Sequence, residues 1–406
     1  MTSAAKQHTL ELAERYVCPD RVRVMSGAGI DLVMGKREGY RIWDVDGRAL
    51  IDIHLNGGVY NLGHRNPDVI AALAQALQTL DIGNHHFPST ERAELAERLV
   101  DLTPGMHYAV FASGGGEAVD LALKSARRAT GRRRIVSATD AYHGHTGLAL
   151  AAGDEPAATS FLATEPDFVR VPFNDVPALE RALAEPTAAV ILETVPATAG
   201  FPRPAPEYLP AVRRLCDATG ALYIADEVQT GLGRSGRMWA VEHFGVVPDI
   251  LVTGKGLSGG IYPIAATLLS QQAGAWLETD GWSNISSFGG AELGCRVAST
   301  VLDLTTAAMP HLPIDAWSTG LADLQAKYPQ WVVEVRQTGL IFGVKFAHEA
   351  GGMLMTKLLF DAGVWAAYAG FDRSVLQVKP GLLMTDAETD EVLAAFDRAC
   401  AAAAQM

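Results

Sequence analysis

Cysteine is scarce and scattered. Cys18, Cys216, Cys295 and Cys400 form no CxxC pair and no His/Cys cluster, which excludes a disulfide framework and a zinc site as organising features of the 406-residue chain. Excess positive charge is lacking too: the formal net charge is −13, so a nucleic-acid role has no electrostatic footprint. The one basic run, Arg127 to Arg134, lies between a helix-like and a strand-like stretch and reads as a solvated helix end. No apolar run approaches the roughly 20 residues of a membrane span. Met1 to Leu10 is polar, without the apolar core of a signal segment. The expectation is a cytoplasmic protein with neither nucleic acid nor membrane as partner.

What the chain has is apolar mass and a regular rhythm. Hydrophobic residues make up 49% and charged residues 19%, and the length allows more than one domain. Arg41 to Ile53 alternates around Asp46-Gly47 and predicts a β-hairpin. Asp68 to Leu80 and Ser89 to Leu102 have helical periodicity. From about residue 105, strand-like runs at 109–111, 134–137, 188–192, 222–225 and 250–252 alternate with helical stretches at 117–130, 176–184 and 206–219. This predicts an α/β domain with a mostly parallel central sheet, whose ligands bind at the carboxyl ends of the strands. After about residue 300 the pattern turns helix-rich, with strands expected at 339–346 and 375–378.

Two of the apolar runs end in charge. Ala221 to Ala225 delivers Asp226, and Ile250 to Val252 leads to Lys255, flanked by Gly254 and Gly256. Burying a carboxylate and an amine at neighbouring strand ends is costly unless a ligand sits between them. The 29 residues from Asp226 to Lys255 leave room for one crossover. A cofactor with a protonatable ring nitrogen and an aldehyde uses both groups, and that description fits pyridoxal 5'-phosphate (PLP). Gly114-Gly115-Gly116 before the helix at Glu117 reads either as a plain tight turn or as a phosphate cup of backbone N–H groups. Tyr142-His143-Gly144-His145 follows another strand end. Tyr142 is suited to stack on a ring, Val228 to pack on its other face, and Gln229 to bond a ring hydroxyl. His143 and His145 read first as structural histidines, with support of the ring from behind as the alternative for His143.

Asp226-Glu227-Val228-Gln229-Thr-Gly-Leu-Gly-Arg-Ser-Gly236, Val247-Pro-Asp-Ile250 and Lys255-Gly-Leu-Ser-Gly-Gly260 resemble the signature of the class III (ω-type) aminotransferases of PLP fold type I. The resemblance runs from Arg41 to Pro380. It implies a large PLP-binding domain over residues 56–300, and a smaller α+β domain built from both chain ends, 1–55 and 301–406. It implies a ping-pong amino transfer in which Lys255 is the catalytic, Schiff-base lysine. It further implies that Asp226 pairs with the ring nitrogen, that Val228, Gln229 and Tyr142 contact the ring, and that Gly115 and Gly116 bind the phosphate. Ser287 matches a hydroxyl that reaches the phosphate of a neighbouring subunit, which implies a homodimer with shared active sites. Tyr60, His85, His86 and Phe87 fall on loops near the substrate. Aminomutases, epimerases and amine phospho-lyases of the same family share the cofactor motifs and remain alternatives; a PLP-fold binding module is the non-enzyme one.

The chain departs from the family at named positions. The phosphate loop reads Ser113-Gly114-Gly115-Gly116, with glycine in place of a phosphate-binding hydroxyl. Many members read a substrate carboxylate with an arginine where this chain has Gln377, and the glutamate- and ornithine-type members also mask that arginine with a glutamate where it has Thr198. A neutral amide does not replace a charge-assisted guanidinium fork. Standard recognition of glutamate is therefore not expected, leaving Lys379, another arginine, or a substrate without a carboxylate at that place.

Overall fold

The computed structural model describes residues 3–83 and 86–405. The alternating segment at 41–53 forms its hairpin: β2 (Arg41–Asp44) pairs antiparallel with β3 (Ala49–Asp52), and β1 (Met34–Glu38) lies against β2. Gly47 takes the turn at φ 89°, a conformation glycine adopts without steric cost. Asn66 caps the helix Pro67–Ala76, and Ser89 caps Thr90–Asp101.

Seven strands form the central sheet: β4 (Tyr108–Ala112), β5 (Arg134–Ala138), β6 (Phe168–Val171), β7 (Thr187–Glu193), β8 (Leu222–Asp226), β9 (Ile250–Thr253) and β10 (Ala265–Leu269). Their spatial order is 4-10-9-8-7-5-6. The pairings from β6 through β9 are parallel, while β10 runs against both β9 and β4. Strands β7 to β10 are buried at every residue, as unbroken apolar runs should be in a sheet covered on both faces. Strands β6 and β10 were not among the expected ones. The Ala-Ala start of β10 has little β-branched character to mark it.

One core layer gathers Leu95, Tyr208 and Trp239 on one side of the sheet. The other packs the helix Gly115–Thr130, through Ala118, Ala122 and Leu123, against Ile135, Ile191 and Val252. A further core draws on both chain ends, from Tyr40 and Ile51 to Trp317, Phe342 and Phe396. It underlies β11 (Val332–Thr338), β12 (Ile341–Phe346), β14 (Ala367–Tyr368) and β15 (Val375–Val378), ordered 11-12-15-14. β13 (Val364–Trp365) instead joins β3 in parallel. The strand expected from residue 339 begins at Ile341, because Gly339, at φ 57°, turns the β11–β12 hairpin. The basic run is tied down locally: Arg128 pairs with Asp280, Arg133 with Asp167, and Arg132 donates to the carbonyls of Thr187 and Thr219. Among the described residues no helix is long and apolar enough to cross a membrane, and no group of His, Cys, Asp and Glu could hold a metal.

Candidate active site

The carboxyl ends of five strands converge. β8 ends in Asp226, and β9 ends two residues before Lys255. β7 ends in Glu193, β5 leads to Tyr142 and His143, and β4 leads through Ser113-Gly114 into the helix at Gly115. A cavity of about 180 Å³ at this edge is lined by Gly115, Gly116, Tyr142, His143, Glu193, Asp226, Val228, Gln229 and Lys255.

Lys255 opens a 3-10 turn at φ 40°, in the left-handed region that a residue with a Cβ seldom adopts. Its amine donates to Gln229 Oε1 at 2.8 Å. Burial pushes the Lys255 pKa down, against the pull of Asp226 and Glu193. Such an amine gives up its proton more readily, as a nucleophile or base requires. Asp226 Oδ2 lies 2.7 Å from His143 Nδ1, and Oδ1 accepts from the Val228 N–H. His143 is thus more than core filling: it fixes the Asp226 carboxylate from behind. Its Nε2 is buried without a protein partner.

Glu193 serves in the sequence only as the residue from which the Thr198 position is counted, although the run before it ends in a carboxylate just as the run before Asp226 does. Its oxygens accept from the Tyr142 and Ala197 N–H groups. Burial first, and the nearby Asp226 charge, raise its pKa to about 7 in spite of His143. Glycines make close approach feasible here. A Cβ at Gly57 (φ 71°) would lie 2.9 Å from Gln229 Oε1 and 3.2 Å from Lys255 Nζ. One at Gly116 would meet Thr146 Oγ1 at 2.9 Å. The helix starting at Gly115 has no side-chain cap at Gly114, so its first N–H groups are left for a ligand.

The aminotransferase class-III family model matches residues 25–400. The chain belongs to the class III aminotransferases. An uncharacterized aminotransferase of Archaeoglobus fulgidus is 46% identical over 95% of this chain and 92% of that relative. A putrescine aminotransferase of Pectobacterium atrosepticum is 34% identical over 96% of this chain and 88% of its own length. The crystal structure of ornithine aminotransferase from Toxoplasma gondii superposes with a TM-score of 0.89 at 26% identity, covering 100% of this chain and 96% of that one. The fold is PLP fold type I, as expected, and the chain is a PLP-dependent aminotransferase.

The residues of this class III aminotransferase fit the cofactor. The cavity supplies an uncapped helix N-terminus, a carboxylate backed by imidazole, and an amine of lowered pKa; Gln229 Nε2 is buried and without a protein partner. Tyr60 lines an adjoining recess of about 320 Å³ that shares Gly115 and Lys255 with the first. Other expected residues stand apart. Ser287 is exposed on the loop before the helix Glu292–Ala308 and does not line either recess. His86 is exposed with its ring edge-on to Trp282 at 5.0 Å, Phe87 is exposed, and His85 lies outside the described residues. Gln377, on β15, is buried: its Nε2 donates to Ala197 O at 3.0 Å, and its Oε1 accepts from Lys379 Nζ at 2.5 Å. Thr198 donates to the Asp140 carbonyl at 3.5 Å.

Proposed function

We propose that this aminotransferase holds PLP at the strand-end cavity and prefers amines whose amino group sits at a chain end, without an arginine reading an α-carboxylate beside it. The observation that carries the reading is the meeting of Lys255, Gln229, His143-backed Asp226 and the Gly115 helix start in one cavity. When bound, PLP supplies an electron sink for the electron pair left as a proton leaves the amine-bearing carbon. Lys255 carries the cofactor, then takes that proton on Nζ and returns it; its lowered pKa suits the task. Asp226 would hold the proton of the ring nitrogen, with His143 fixing the carboxylate. Gln229 would orient the ring hydroxyl, Tyr142 and Val228 would enclose the ring, and the Gly115 and Gly116 N–H groups would bind phosphate. Two half-reactions of this kind make a ping-pong cycle.

The substrate preference rests on Gln377, which stands where many relatives have arginine, and on Thr198 in place of its masking glutamate. A relative named for putrescine, a terminal diamine, favours the same reading. We also place the enzyme in a homodimer. Ser287 is exposed on a loop with Trp282, Ile285 and Phe288, three exposed apolar side chains that a second subunit would cover. Sedimentation at micromolar concentration checks this, and a monomer would overturn it.

Borohydride reduction of the loaded protein followed by peptide mass analysis should fix the cofactor on Lys255; a label on another lysine overturns the assignment. Single-turnover absorbance measurements should then show terminal amines reacting at least about tenfold faster than glutamate. Glutamate as the fastest donor, with collapse in a Gln377→Ala variant, would overturn the preference.

A further inference from the structure

Lys379 follows β15 and is 1% exposed. A buried ammonium is costly unless an anion answers it. Here the close partners are neutral: Gln377 Oε1 at 2.5 Å and the face of Phe201, whose centroid is 5.6 Å away. Among the described residues no carboxylate forms an ion pair with it. The acid acting on it is Asp52, which is already committed to His64 Nε2 at 2.9 Å and to the His54 and Leu55 N–H groups. Of three ammonium donors, one is spent on Gln377.

Hydrogen bonds tie the position to the wall of the strand-end cavity. Gln377 Nε2 donates to Ala197 O, and the Ala197 N–H donates to Glu193 Oε2, in the cavity wall. The Lys379 N–H donates to Ile53 O, on the segment that leads to Gly57 and its close approach to Lys255. Burial first, then Lys255 and Arg234, push the Lys379 pKa far down, with Asp52 alone opposing; His54 faces both lysines and is itself pushed down.

We propose that Lys379, positioned by Gln377, is the receptor for a carboxylate at the far end of the substrate, so that the enzyme takes terminal amines that end in an acid. The inference rests on the proposed reading of the site. An arriving carboxylate gives the amine the anion it lacks, and the amine takes a proton from solvent to become an ammonium. The flexible stem of lysine lets that ammonium turn from Gln377 to the ligand. A second ammonium, as in putrescine, brings no anion to the amine and gains nothing from this change.

The test is calorimetric titration of the holoenzyme with glutarate at pH 8, in two buffers of different ionisation enthalpy. Binding with net proton uptake is expected. Affinity should weaken about tenfold or more in Lys379→Met, with the uptake lost. In the same variant the ratio of kcat/KM for 5-aminovalerate over putrescine should fall by about tenfold or more. Should Lys379→Met not fold, Gln377→Glu supplies an internal carboxylate to the amine and should likewise weaken glutarate. Glutarate that fails to bind, binds without proton uptake, or is indifferent to both variants overturns the proposal. Amines that still convert the cofactor in that case leave the aminotransferase reading standing; no conversion by any amine overturns the reading itself.

Discussion

The two walls of the active site are built in different ways. The cofactor wall comes from one edge of one sheet, where β4, β5, β7, β8 and β9 end and each end contributes a group. The proposed substrate wall is assembled from the Glu193–Phe201 segment and β15, about 180 residues apart in the chain and joined by the bond from Gln377 to Ala197. On the first wall the positions are set by a shared backbone ladder. On the second they are set by side chains bridging two sheets, and under the proposed reading a single replacement there changes what is recognised while the sheet stays intact. The cofactor wall should therefore be costly to alter, and the substrate wall adaptable.

The sharpest way to break this contrast is on the cofactor wall. Lys255→Ala should reduce amino transfer by about 10⁴-fold, measured as the single-turnover rate with a terminal amine. A loss under tenfold would move the base elsewhere. Asp226→Asn removes the charge that His143 holds, and the rate should fall about 10²- to 10³-fold. His143→Leu, tested in parallel, should lower the rate and move the pH profile, because its partner carboxylate loses its anchor.

Glu193 joins the two walls and titrates. Its folded pKa of about 7 exceeds the 4.5 of an ordinary glutamate, so between those values the folded protein holds a proton that the unfolded chain has released. The resulting stability is fully present below 4.5 and is lost as pH rises through 7. In the cofactor-free protein, Glu193→Gln should remove a pH-dependent fall worth about 3 kcal/mol, read as a flatter Tm profile from pH 4.5 to 7.5. An unchanged profile would place that titration elsewhere. The smallest effect is expected at the phosphate cup. Gly116→Ala forces Thr146 aside and should weaken cofactor binding about tenfold, measured by release of absorbance on dilution. An equal loss of rate with cofactor saturating would mean that the loop also acts in the chemistry.

The contrast also explains what was legible in the sequence. Asp226 and Lys255 stand out because an apolar run ending in charge is physically unusual, and both fall in the cavity. The glycine run was ambiguous alone; the missing side-chain cap and the converging strands give it meaning. The role of His143 is hidden in the sequence, because nothing in a linear chain says that residues 143 and 226 lie 2.7 Å apart. Gln377 and Lys379 could be flagged as departures from a pattern. That the one holds the other, and that Lys379 has no acid paired with it, depends on packing between distant segments. Strand β10 was missed for a different reason: five residues opening on two alanines carry too little β-branched signal to stand out.

That missed strand sets an order of assembly. β4, on which the glycine loop stands, has β10 as its neighbour in the sheet, and β10 begins 153 residues after β4 ends. During synthesis, Gly115 and Gly116 emerge long before anything can hold their strand in register. A nascent chain that stops short of Ala265 has neither the β10 rung nor a fixed distance from Lys255 to the phosphate cup. Capture of the vitamin therefore comes late in the life of the growing chain, and it reports that the middle of the molecule has closed.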